Sequence, residues 1–109
     1  MAKYLLIESK GPLDGGQYAF ELGEQLRALN HDVTIYLIQD GVFTARKGFA
    51  SGARLLTTAH QRGLNLFADE ISLRQRGVVK ERLADQVKAS SMDELVDLLM
   101  ERSDKAIWH

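Results

Sequence analysis

The sequence predicts an α/β fold of three layers, α/β/α, around a mostly parallel five-stranded sheet. Short apolar runs rich in β-branched residues recur along the chain, each stopped by turn residues. Between them lie stretches whose apolar residues repeat at helical spacing. The chain has 109 residues and shows no internal repeat, low-complexity stretch or linker, so one domain spanning 1–109 is expected. Strand–helix alternation of this kind implies a parallel sheet joined by right-handed crossovers.

The first strand is expected over residues 3–8, a compact apolar run that ends near Ser9-Lys10-Gly11-Pro12. A helix follows, with Tyr18, Leu22, Leu26 and Leu29 as its stripe and Ala19 and Gly23 as a small face for close approach to the sheet. Asp14 is its expected N-cap and Asn30 its stop. The second strand, 33–38, is β-branched and aromatic and ends at the turn signal Gln39-Asp40-Gly41. Residues 42–50 read as irregular. Gly52 to Arg62 reads as a helix with Leu55, Leu56 and Ala59 inward, broken by Gly63.

The third strand is expected over 64–68. Asp69 to Arg76 reads as a short helix stopped by Gly77, and 78–85 as a further helical turn. Residues 87–89 read as a brief fourth strand. Ser91 and Glu94 form an S-x-x-E capping box at the start of the last helix, whose apolar face is Met92, Leu95, Val96 and Leu99. Residues 104–108 read as the terminal strand.

Composition excludes several functions. The net charge of -1 supplies no positive field for nucleic acid. Residues 4–7 are too short an apolar run for a leader or a membrane span, so no membrane partner and a cytoplasmic location are expected. There is no cysteine, which removes disulfides, thiolate metal sites and cysteine catalysis. His31, His60 and His109 show no ligand spacing, so neither a metal nor a cofactor is expected. No G-x-S-x-G elbow or Ser/His/Asp pattern is visible.

Ligands in parallel sheets gather at the carboxyl ends of the strands, which here means residues 9–16, 39–48 and 68–76. Asp69 with Glu70 reads as an acid/base pair or, more simply, as a helix cap with a favourable neighbour. Arg74 and Arg76 read as an anion clamp, as partners for acids on a neighbouring subunit, or as solvated surface. Asp40 and Gly41 line a pocket or merely close the second strand. The glycine-rich 11–16 loop, with Asp14, precedes a helix that can cradle an anion but lacks the Gly-Lys-Ser/Thr ending of a P-loop. Phe43, Phe49 and Trp108, near loops or the chain end, read as interface residues.

The chain resembles the DsrE/DsrF/DsrH-like family, which includes the Tus sulfur-relay subunits. The residues that carry the resemblance are His31-Asp32-Val33-Thr34-Ile35-Tyr36-Leu37 followed by Asp40-Gly41-Val42, then Gly63-Leu64, the Arg76-Gly77-Val78 turn, and the ending Asp104-Lys105-Ala106-Ile107. The resemblance implies a five-stranded parallel sheet and assembly into homotrimers, homohexamers or heterohexamers. It also implies a sulfur-carrying cysteine after the third strand in some subunits and partners lacking it in others. Here the matching position holds Asp69, and a carboxylate cannot accept a persulfide. Three readings follow: a non-catalytic subunit, alone or with cysteine-bearing homologues; an oligomeric protein that binds a small molecule or anion at the strand ends; or an enzyme using Asp69, Asp40 or a histidine.

Overall fold

The structure, a computed structural model, describes residues 1–109. Its strands are β1 (Lys3–Glu8), β2 (Asp32–Leu37), β3 (Asn65–Asp69), β4 (Lys88–Ser90) and β5 (Lys105–Trp108). Its helices are α1 (Gln17–Ala28), α2 (Ala50–Gln61), α3 (Glu70–Gln75) and α4 (Met92–Met100). The strands form one sheet in the order β4-β3-β2-β1-β5, and every neighbouring pair is parallel. The expected architecture therefore holds, with strand limits shifted by a residue at most.

Successive strand residues face opposite sides of the sheet, so each strand divides its side chains between two cores. In β2, Val33, Ile35 and Leu37 join the larger core with Phe20 of α1 and Leu56 and Ala59 of α2. Tyr36 of β2 and Ile38 just beyond it join the smaller core with Leu5, Ile7 and Leu98. The larger core holds 16 buried residues and the smaller one five. The imbalance follows from topology. Steps β1 to β4 run in one direction across the sheet, so right-handed crossovers put their helices on one face. Only the return from β4 to β5 places a helix, α4, on the other.

Local details correct four expectations. Asp14 does not cap α1; Gly16 stands at that position without a side-chain hydrogen bond. A Cβ at Gly16 would run into the Lys10 and Gly11 carbonyls, so the tight entry to α1 demands glycine. The stretch 42–50 is not irregular throughout: residues 42–45 belong to a 3-10 segment, Gln39–Ala45, and Ala50 already starts α2, while 80–82 form a shorter 3-10 turn. The Ser91 cap forms, with Ser91 Oγ accepting from Glu94 N–H at 3.2 Å. The reciprocal half of the box does not, because the Glu94 carboxylate instead accepts from Ser90 Oγ at 2.6 Å.

The fourth correction concerns the apolar face of α4. Leu98 is buried and Leu95 packs against the smaller core, whereas Met92, Val96 and Leu99 are exposed, as is Met100. One nine-residue helix about 10 Å wide cannot cover five strands spaced roughly 4.8 Å apart.

Candidate functional site

The connections leave β1 toward β2 on one side, while β5 joins β1 from the other. The carboxyl ends of β1 and β5 are therefore the topological switch point of the sheet, where open α/β folds place their sites. Glu8 ends β1 and is fully buried. A buried carboxylate must have its lone pairs satisfied, and Glu8 has three donors. The Lys10 N–H donates to Oε2 at 3.1 Å and the Ala19 N–H, in the first turn of α1, donates to Oε1 at 3.3 Å. The third is His109 Nδ1, at 2.9 and 3.0 Å from the two oxygens. The anion also lies at the positive end of α1, which favours it further.

The backbone holds His109 firmly. Its N–H donates to Ile7 C=O at 2.8 Å, and its C=O accepts from Ser9 N–H at 2.9 Å and Ser9 Oγ at 3.0 Å. The Tyr18 ring lies against the imidazole, with centroids 4.4 Å apart. The imidazole is nevertheless about a third exposed (31%). Glu8 is not among the residues expected at a site, and His109 is there only as one of three histidines without ligand spacing. The available signal was a charged residue closing an otherwise apolar strand, since a parallel strand buried on both faces buries its last side chain too.

The expected strand-end residues fall into three separate groups. Asp40 and Arg76 meet, with Arg76 Nε donating to Asp40 Oδ1 at 3.0 Å. Arg76 also donates to the Ser72 carbonyl at 3.3 Å, so its guanidinium is turned toward the protein itself. Gly41 lies hard against the backbone carbonyl of Glu8, and any Cβ there would collide with it. The close approach foreseen at Gly41 is thus to the neighbouring strand end.

Asp69 is the N-cap of α3. Its Oδ2 accepts from the Ser72 N–H at 2.9 Å and from Ser72 Oγ at 2.7 Å. Ser72 Oγ in turn accepts from the Gln39 N–H at 2.8 Å, which ties α3 to the segment after β2. Asp69 is buried, and its other oxygen, Oδ1, has no hydrogen-bond partner. Nearby, Tyr36 Oη lies 2.8 Å from Ser90 Oγ and 3.0 Å from the Ser91 carbonyl. Burial pushes the Tyr36 phenol above its ordinary pKa, and the carboxylates of Asp69, Glu94 and Glu70 push the same way.

Arg74 stands apart from both groups. It borders an open cleft of about 920 Å³ with Leu73, Val78, Leu83, Val87 and Lys88, between α3 and the outer edge of β4. A smaller cavity of about 270 Å³ brings Asp14, Asp40, Phe43 and Phe49 together with Gly11 and Arg46. Phe43 and Phe49 are half-buried there, while Trp108 on the β5 edge is 66% exposed. No group of three or more His, Cys, Asp or Glu side chains is arranged to hold a metal ion. No helix is long and apolar enough to cross a membrane.

Comparison with known proteins gives a consistent relationship. The model of the DsrE/DsrF-like family matches residues 2–108. Among solved structures, the ychN protein from E. coli superposes with a TM-score of 0.88 at 19% sequence identity, each chain covered over 100% of its length. A protein of unknown function from Methanobacterium thermoautotrophicum, MTH1491, superposes with a TM-score of 0.72 at 16% identity, again over 100% of both chains. These likenesses establish the shared fold. No curated protein matches the sequence.

Proposed function

The chain belongs to the DsrE/DsrF-like family, and from that premise we propose that it is a cysteine-less subunit of a sulfur-relay assembly that acts through oligomerisation, without carrying sulfur itself. The observation that supports this most is the state of Asp69. Where the family resemblance places a reactive thiol, this chain has a buried carboxylate that caps α3. It has no sulfur nucleophile there or at any cysteine elsewhere. What it offers instead is exposed apolar surface: Met92, Val96 and Leu99 on α4, and Trp108 at the sheet edge. Surfaces of this kind mark contact sites. A homotrimer or homohexamer, or a hetero-oligomer with cysteine-bearing homologues, would cover them and close by symmetry.

Two measurements test this reading. Incubation with a persulfide donor followed by intact-mass analysis should leave the mass unchanged; a stable gain of one sulfur atom overturns the non-carrier role. Light scattering after size exclusion, over a dilution series, should give a trimer or hexamer mass. A monomeric mass at every concentration removes self-association, and capture of cysteine-bearing homologues from native lysate then decides the hetero-oligomer.

The second reading, a small-molecule or anion-binding oligomer, draws support from the cleft of about 920 Å³, whose apolar floor is edged by Arg74, Lys80 and Lys88 against Glu70 and Glu81. Its size suits an organic ligand. A small organic acid copurified with the protein, and lost in Arg74→Ala, would favour it.

A further inference from the structure

The three histidines differ in which ring nitrogen keeps a free lone pair. His31 Nδ1 lies 3.0 Å from the Ala2 backbone N–H, which can only donate. The ring hydrogen of neutral His31 therefore sits on Nε2, and no lone pair is left over. His109 is the reverse. Its Nδ1 faces the Glu8 carboxylate, which can only accept, so Nδ1 carries the hydrogen and Nε2 keeps its lone pair. A carboxylate behind an imidazole also fixes the tautomer and the orientation of the ring. His60 is an exposed ring on α2 and provides the ordinary reference.

His109 Nε2 has no hydrogen-bond partner and is not among the buried polar atoms that lack one. Tyr18 packs against the ring at a tilt of 36°. A Cβ added to Gly15 would lie 3.8 Å from His109 Cε1 and 3.9 Å from Lys10 Cδ, so both side chains approach Gly15. The Lys10 ammonium enters no ion pair, since none of the six carboxylate pairs involves it. A buried anion and an oriented imidazole thus meet at the switch point of the sheet, and the unpaired Lys10 follows in the loop whose backbone N–H binds the same anion.

We propose that His109, backed by Glu8, is a nucleophilic imidazole that accepts a phosphoryl group from a small anionic phosphoryl donor whose charge Lys10 offsets. The Nε2 lone pair forms a bond to phosphorus. The bond from phosphorus to the leaving group breaks with its electron pair, releasing ammonia from phosphoramidate whose nitrogen is already protonated, or a carboxylate from an acyl phosphate. The Nδ1 hydrogen stays in the hydrogen bond to Glu8, whose charge compensates the positive charge gained by the ring. No oxidant or reductant takes part. The site uses no residue of the proposed sulfur-relay surface, so the two readings stand or fall separately.

The test is phosphorylation of the full chain by phosphoramidate, with sites mapped by tandem mass spectrometry. His109 should be modified at Nε2 at least about tenfold faster than His60, the scale on which a carboxylate partner alters an imidazole, and His31 slower than both. Glu8→Gln should reduce the His109 rate to that of His60, and Lys10→Ala should lower it without altering the other two. Equal rates at His109 and His60 in the unaltered protein overturn the proposal. Because Glu8→Gln can unfold the chain, nitrogen-15 NMR of the unaltered protein supplies an independent check. His109 should show a protonated Nδ1 and an unprotonated Nε2, and His31 the opposite; the same tautomer on both rings overturns the assignment.

Discussion

Two buried carboxylates end two parallel strands on the same edge of the sheet, and they are used in opposite ways. Glu8, at the end of β1, is held by two backbone N–H groups and an imidazole, with both oxygens engaged. Asp69, at the end of β3, spends one oxygen on Ser72 and leaves the other without a partner. The donors of Glu8 come from the loop after β1, from α1 and from the far end of the chain. Those of Asp69 lie three residues away. Glu8 therefore joins distant parts of the chain and connects to a half-open ring, whereas Asp69 serves its own helix and opens onto nothing. A carboxylate at a strand end is not a site by virtue of its position. What surrounds its second oxygen decides.

Substitution should expose this difference directly. Glu8→Ala should have the largest effect, about 3–5 kcal/mol of lost stability in urea unfolding, since each buried donor left unpaired costs about 1–3 kcal/mol. It orphans the Lys10 and Ala19 N–H groups together with His109. Asp69→Ala should cost only about 1–2 kcal/mol, the range for loss of an N-cap. An equal or larger loss at Asp69 would mean that its unpartnered oxygen carries a contact of its own, and the contrast would fail.

Tyr36→Phe sharpens the comparison from the neutral side of the same region. It removes a buried hydroxyl bonded to Ser90 and Ser91 and should cost about 1 kcal/mol at pH 7. It should also change the alkaline limb. The folded Tyr36 keeps its proton to a higher pH than the unfolded one, because burial and nearby carboxylates disfavour phenolate. Its contribution is therefore fully present below pH 10 and is lost as pH rises through the raised folded value, by up to about 1.4 kcal/mol per pH unit. Stability of the Tyr36→Phe protein should fall less steeply above pH 10; an unchanged slope would remove Tyr36 from the alkaline transition. The smallest effect is expected at Trp108→Ala. Because the ring is mostly exposed, chain stability should change by less than about 0.5 kcal/mol. The mass in light scattering should nevertheless fall if this ring belongs to the proposed interface.

Much of the fold was legible because it depends on near neighbours. The apolar runs at 3–8 and 33–38 mark strands by their own composition. Asp69 and Ser91 cap the helices that follow them through N–H groups three residues on. The Asp14 expectation failed for an instructive reason. Gly16, not Asp14, precedes the first helical residue, the Gly16 N–H goes to the Gly11 carbonyl, and the Ala19 N–H of the first turn goes to Glu8. The meeting of Asp40 with Arg76 lay among the expected residues, but as an ion pair rather than an open clamp.

The sequence by itself determined the strands, the parallel sheet, two of the helix caps and the absence of any thiol. Each of these depends on residue chemistry or on spacings of two to four positions, which act before the chain is compact. Only the tertiary structure decided that Glu8 meets His109 across 101 positions, that α4 turns Met92, Val96 and Leu99 outward, and that Arg74 and Arg76 face different surroundings. Those outcomes depend on which strand ends come side by side and how much of a sheet face one helix can cover. Periodicity carries no record of either, because both are set by the order of strands in the sheet.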